Sequence, residues 1–159
     1  MRRWLSAGLL VALLCAAGWF LFRTEPRQAS PAAATGPTVS FGSVSLRVEL
    51  ATTPAEREKG LGGRTSMPED SGMLFVFPKD DLYGFWMKDT LVPLDMFWTD
   101  SKGQVVSIAQ DVATSSFPHV FYPSAPALYV LETRAGFARD HGVRAGMRFS
   151  LKNIPIVSE

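Results

Sequence analysis

Four side chains in the middle of the chain are of types that grip or react with polar groups: Arg64, Trp86, Lys88 and Asp95. A lysine beside an aspartate can neutralise it, orient a polar ligand, or exchange protons with a substrate. An aromatic wall next to the pair supplies apolar contact. The spacing suggests how they meet. The runs Tyr83–Lys88 and Leu94–Thr99 alternate as strands do, and a hairpin around Asp89–Leu94 that pairs Lys88 with Asp95 also pairs Trp86 with Phe97. Cross-strand pairs of these kinds contribute roughly 0.2–1 kcal/mol each. Two readings follow: the charges neutralise each other at a sheet rim, or they line a concave site. Arg64 follows a glycine cluster, where its guanidinium suits either bidentate capture of a carboxylate or phosphate, or a salt bridge to Asp95, Asp89 or Glu132.

Other chemistries find little support. The two histidines, His119 and His141, lie far apart with no ligand spacing, and Asp80-Asp81 lacks the spacing of a calcium loop. No metal and no cofactor are expected. Ser115 and Ser116 sit near His119 without the strand-to-helix elbow that frames a nucleophile, so no catalytic residue is assigned. The lone cysteine, Cys15, excludes a disulfide framework. Residues 1–38 carry four arginines against one glutamate, so the overall +1 leaves −2 for residues 39–159. That balance argues against nucleic acid as a partner.

The elements that must position these residues begin at residue 39. Residues 39–50 alternate apolar and polar side chains as a half-buried strand does, and Thr53-Pro54-Ala55-Glu56 is a capping box opening a short helix that Gly60, Gly62 and Gly63 stop. Met73–Phe77 is apolar on both faces, as a central strand is, with Pro78 expected to end it. Further strands are expected over Tyr83–Lys88, Leu94–Thr99, Val105–Gln110, Leu128–Glu132 and Arg148–Lys152, with a hairpin turn at 100–103. A second helix is expected over about 134–141, capped by Thr133 and ended by Gly142, with His141 at its C-terminal end. The sum is one compact α+β domain, a mainly antiparallel barrel-like or curved sheet with two short helices.

Ahead of it lies a membrane signal. Trp4–Phe22 contains no ionisable side chain except Cys15, and its nineteen residues as a helix reach about 28 Å, close to the ~30 Å of a hydrocarbon core. Residues 1–23 are therefore expected to form a transmembrane signal-anchor, or a signal peptide cleaved at one of the small-residue runs; a lipoprotein site at Cys15 is disfavoured by Leu14. Arg2 and Arg3 favour a cytoplasmic amino terminus. Residues 24–38, rich in Pro and Ala, read as a linker to the domain over 39–159. The chain is thus expected in the cell inner membrane, with a single span and a periplasmic domain, or secreted after cleavage.

The stretch Gly84-Phe85-Trp86-Met87-Lys88-Asp89-Thr90 with Pro93-Leu94-Asp95 resembles the signature of the domain of unknown function 192 family, also called the UPF0127 family. Arg57, Gly60, Leu61, Arg64 and Gly72–Phe75 resemble its earlier motif, and Tyr129–Glu132 with Ala135-Gly136-Phe137 its later one, over about residues 44–152. Gly62, Asp89 and Met147 depart from the pattern. The resemblance implies a compact β-rich domain, often exported in bacteria, with no established reaction. The expected function is a membrane-tethered, non-enzymatic ligand-binding or accessory module, its small polar ligand or envelope component held by Arg64, Trp86, Lys88 and Asp95. The alternatives are a small cell-envelope enzyme, a hydrolase or polymer-modifying one using Asp95 and Lys88 as acid and base, and a structural partner-binding module.

Overall fold

A computed structural model describes residues 36–157. The expected span over 1–23 and almost all of the linker lie outside the described residues. No helix among the described residues is long and apolar enough to cross a membrane.

Seven strands and two short helices make up the domain: β1 (Thr38–Phe41), β2 (Val44–Ala51), α1 (Pro54–Lys59), β3 (Ser71–Asp81), β4 (Leu94–Thr99), β5 (Val105–Val112), β6 (Ala127–Arg134), α2 (Phe137–His141) and β7 (Ser150–Lys152). They form one sheet in the order β5-β4-β6-β3-β2-β1-β7. Only β2 and β3, joined through α1, run parallel; every other neighbouring pair is antiparallel. The sheet curls strongly. Phe41 of β1 and Phe97 of β4 are four strands apart, about 19 Å in a flat sheet, yet their rings lie 5.8 Å apart. The residues leading into the two edge strands meet as well: Gln104 bridges Arg148, and Val105 N–H donates to Met147 O at 2.8 Å. The result is a half-barrel.

Strand alternation divides the apolar side chains into two cores. Inside the curl lie Val39, Phe41, Leu46, Leu74, Phe97, Leu131 and Phe149, closed off by Phe137 and Ala138 of α2. On the other face lie Met73, Phe75, Leu94, Met96, Trp98 and Val130, covered by Leu61 after α1 and by Phe85, Met87 and Val92 of the segment 82–93. The second face is the one that matters below.

Local chemistry explains most of the boundaries. The capping box forms as expected, with the Thr53 hydroxyl accepting from Glu56 N–H at 3.2 Å and the Glu56 carboxylate accepting from Thr53 N–H at 2.9 Å. These bonds, with those from Thr52, lower the Glu56 carboxyl to about 2. The turn at 100–103 is held by Asp100, whose carboxylate accepts from Lys102 and Gln104 N–H.

Several expectations are corrected. Residues 39–50 are not one strand, since the chain reverses at Gly42-Ser43 to pair β1 with β2. Pro78 does not end β3; regular pairing with β6 stops at Val76 and resumes only at Asp81. Thr133 belongs to β6, so α2 starts later, at Phe137, with Gly136 as its N-cap and no side-chain cap. Its other end is as expected. Gly142 adopts φ 64° and Val143 N–H returns to Ala138 O at 2.8 Å, a Schellman closure. The largest correction concerns Tyr83–Lys88, which is no strand. β4 is already flanked by β5 and β6, leaving no open edge on which residues 83–88 could pair. They lie across the sheet face instead, touching extended chain only through a bridge from Phe85 to Phe121.

Candidate functional site

The segment 82–93 and α1 arch over the second sheet face and leave between them a cavity of about 330 Å³. Its walls are Leu61, Phe75, Phe77, Tyr83 and Phe85, and its lining includes Arg57, Glu58, Lys59, Trp86, Lys88, Thr90 and Glu132.

Each wall is fixed by a specific contact. Phe85 exchanges two backbone hydrogen bonds with Phe121, at 2.9 and 2.8 Å. Gly84 permits this crossing, because a Cβ there would meet Tyr122 and Val120 at 2.7 Å. The Trp98 indole donates to Tyr83 O at 2.8 Å, and the Tyr83 ring stacks on Phe77 with centroids 3.5 Å apart. Phe75 meets Phe85 edge to face at 4.8 Å. Arg57 ties helix to sheet: its Nη1 donates to Thr52 O and, at 2.9 Å, to Val76 O, while its guanidinium lies 5.0 Å from the Phe77 ring centroid. Lys88 sits at the mouth, 3.7 Å from the Glu58 carboxylate and 5.8 Å from the Trp86 ring.

Glu132 is the unusual group. It belongs to β6 on the same face as Val130, flanked in register by Met73 of β3 and Met96 of β4. It is buried, and its carboxyl makes no hydrogen bond or ion pair among the described residues. Burial alone pushes this carboxyl up to about 8, so at neutral pH it is mostly protonated, with one O–H to donate and acceptor capacity to spare. Buried polar groups in folded proteins almost always have partners. Here the space beside the carboxyl is the cavity.

The four residues singled out from the sequence do not converge. Trp86 and Lys88 line the cavity. Arg64 and Asp95 do not. Arg64 makes a bidentate ion pair with Glu49 on the surface, through Nη1 at 2.6 Å and through Nη2, rather than with Asp95, Asp89 or Glu132. The hydrogen bond from Arg64 holds the Glu49 carboxyl below its ordinary range. Asp95 alternates with Leu94 and Met96, so it points to the opposite face, where it is fully buried. Its Oδ1 accepts from Asp111 N–H at 2.7 Å and its Oδ2 from Ala138 N–H at 2.8 Å. The anticipated Lys88–Asp95 pair is replaced by Lys88–Glu58 and by an aspartate that pins α2 to β5. Sequence reasoning passed over Arg57 and Glu132 as site residues. A signal for Glu132 existed: in Leu128-Tyr129-Val130-Leu131-Glu132 it shares a strand face with Val130, where a charged residue has no water to meet.

A family model for domain of unknown function 192, described as an uncharacterized ACR, matches residues 38–151. The chain belongs to this family. Two solved structures resemble the domain. A protein from Sinorhizobium meliloti 1021 described as a transcription regulator is 35% identical, with 74% of this chain and 93% of that chain covered at a TM-score of 0.69. A protein of unknown function from Novosphingobium aromaticivorans DSM 12444 is 33% identical, with 72% and 82% covered at a TM-score of 0.65. No curated protein sequence matches the chain. Some of the residues by which this DUF192 domain resembles its family line the cavity, among them Arg57, Leu61, Phe75, Phe85, Lys88 and Glu132, whereas others, such as Arg64, Asp95 and Phe137, lie elsewhere.

Proposed function

We propose that the domain is a non-enzymatic module that binds a small ligand in the cavity between α1 and the segment 82–93, displayed outside the cytoplasmic membrane by the apolar N-terminal segment. The observation that carries the reading is Glu132, a buried carboxyl that has no partner among the described residues and faces an aromatic-walled space. Small-molecule sites combine apolar walls with convergent polar groups, as this more polar than apolar lining does, and about 330 Å³ sits at the small end of their range. The formal −2 of residues 39–159 favours a small ligand over DNA, even beside a relative described as a transcription regulator. The run Trp4–Phe22 supports the membrane tether.

The test is a fragment library screened by ligand-observed NMR against the full chain in lipid nanodiscs, with Glu132→Leu as the control. Hits that compete with one another and vanish in the variant are expected. A screen whose hits are indifferent to Glu132→Leu overturns the reading.

A second reading, a small cell-envelope enzyme, is favoured by the same carboxyl, since a glutamic acid kept protonated near neutral pH is suited to general-acid work. In that reading the acid is Glu132, not Asp95, whose oxygens are already occupied by amides.

A further inference from the structure

The charges around the cavity narrow the ligand class. Three cationic residues line it, Arg57, Lys59 and Lys88, against the single exposed anion Glu58. Arg57 uses Nη1 on Thr52 O and Val76 O and its face on Phe77, whereas Lys88 stands about half exposed, with long contacts to Glu58 and to the Trp86 ring. Behind this mouth the walls are aromatic and aliphatic. At the floor, Glu132 faces Met73 and Met96 from the neighbouring strands; the titratable groups facing the same space are Arg57, Glu58 and Lys59 from α1, and Tyr83 and Lys88 from the arching segment. A ligand entering here meets a positive mouth, an apolar middle and a carboxyl with a free hydrogen bond.

Building on the reading of the cavity as a ligand site, we propose that its ligand is a small organic anion with an apolar body, its anionic group between Lys88 and Lys59 at the mouth and an acceptor oxygen on the Glu132 carboxyl at the floor. A cationic ligand would pass the same lysines unfavourably and would need Glu132 ionised in an apolar setting. A neutral apolar ligand would leave the carboxyl unpaired.

Isothermal titration of the full chain in nanodiscs, using two series that carry an acceptor oxygen opposite the varied group, separates these classes: 4-acetylbenzoate, 4-acetylbenzamide and 4-(aminomethyl)acetophenone, then 5-methoxyindole-3-acetate, 5-methoxyindole-3-acetamide and 5-methoxytryptamine. Carboxylates are expected to bind at least about tenfold more tightly than the matching amides, with amines weakest. Lys88→Gln is expected to remove about three- to tenfold of the carboxylate preference and much of its salt dependence. Because the bound form uses a protonated Glu132, carboxylate affinity falls above about pH 8, toward about tenfold per pH unit. Glu132→Gln keeps a neutral donor, so binding persists and this fall disappears. Amides equal to carboxylates, amines tightest, or carboxylate affinity that climbs with pH overturn the anion assignment while leaving the cavity a ligand site. No binding by any member of either series at millimolar concentration overturns both.

Discussion

Replacing Glu132 by glutamine should stabilise the domain, and by an amount that grows with pH. The unfolded carboxyl titrates near 4.5 and the folded one near 8, because burial disfavours the charged form. Between those values the unfolded chain has released a proton that the native state still holds. The contribution is therefore fully present below about pH 4.5 and is lost as pH rises to about 8, at about 1.4 kcal/mol per pH unit. Over the whole window the loss is on the order of 5 kcal/mol, a large share of the roughly 5–15 kcal/mol that holds a typical domain together. Glutamine has nearly the same shape and no proton to lose. The two proteins should unfold alike near pH 4.5, and the variant should lead by on the order of 3 kcal/mol near pH 7 and more near pH 8.5. Urea unfolding of the full chain in a mild detergent, followed by near-ultraviolet circular dichroism, measures the difference at each pH. Stability curves that stay parallel from about pH 4.5 to about pH 8.5 would refute the reasoning, since they would mean the carboxyl ionises as easily folded as unfolded.

Other substitutions probe the positioning of the site. Asp95→Ala strands the Asp111 and Ala138 amides, each worth about 1–3 kcal/mol when left unpaired; urea midpoints should fall accordingly, and an unchanged midpoint would deny the pinning role. Gly84→Ala pushes a methyl into Tyr122 and Val120, costing about 1–3 kcal/mol, and amide exchange should rise first at Phe85 and Phe121. Arg64→Ala removes an exposed ion pair and should change stability by no more than about 1 kcal/mol, with fragment binding intact; lost binding would restore Arg64 to the site. Thr53→Ala removes the α1 cap and should cost about 1 kcal/mol in the same unfolding assay.

The parts of the fold legible in the sequence are those set by local chemistry. The Thr53–Glu56 capping box, the Asp100 turn and the Gly142 closure each depend on side chains within a few residues of one another, and each forms. The doubly apolar run Met73–Phe77 is central because it must be covered on both sides. What escaped depends on contacts distant in sequence. Residues 83–88 alternate like a strand, but the edge they would join is taken by β6, whose partner residues lie more than thirty positions later. That displacement separates Lys88 from Asp95 and undoes half of the anticipated site. Trp86 and Lys88 reach the cavity for a different reason, as part of a segment laid over the sheet. Glu132 could be recognised only by noticing that its strand face is apolar, and that this face is covered by α1 and an aromatic arch.

The most direct test of the account is a carbon-detected NMR titration of the Glu132 side-chain carboxyl in the full chain. A midpoint near 8, displaced when 4-acetylbenzoate is added, is the predicted result. A midpoint near 4.5 that 4-acetylbenzoate does not move would contradict it, because the carboxyl would then have water or a charge partner, and the cavity would have no unsatisfied group for a ligand to meet.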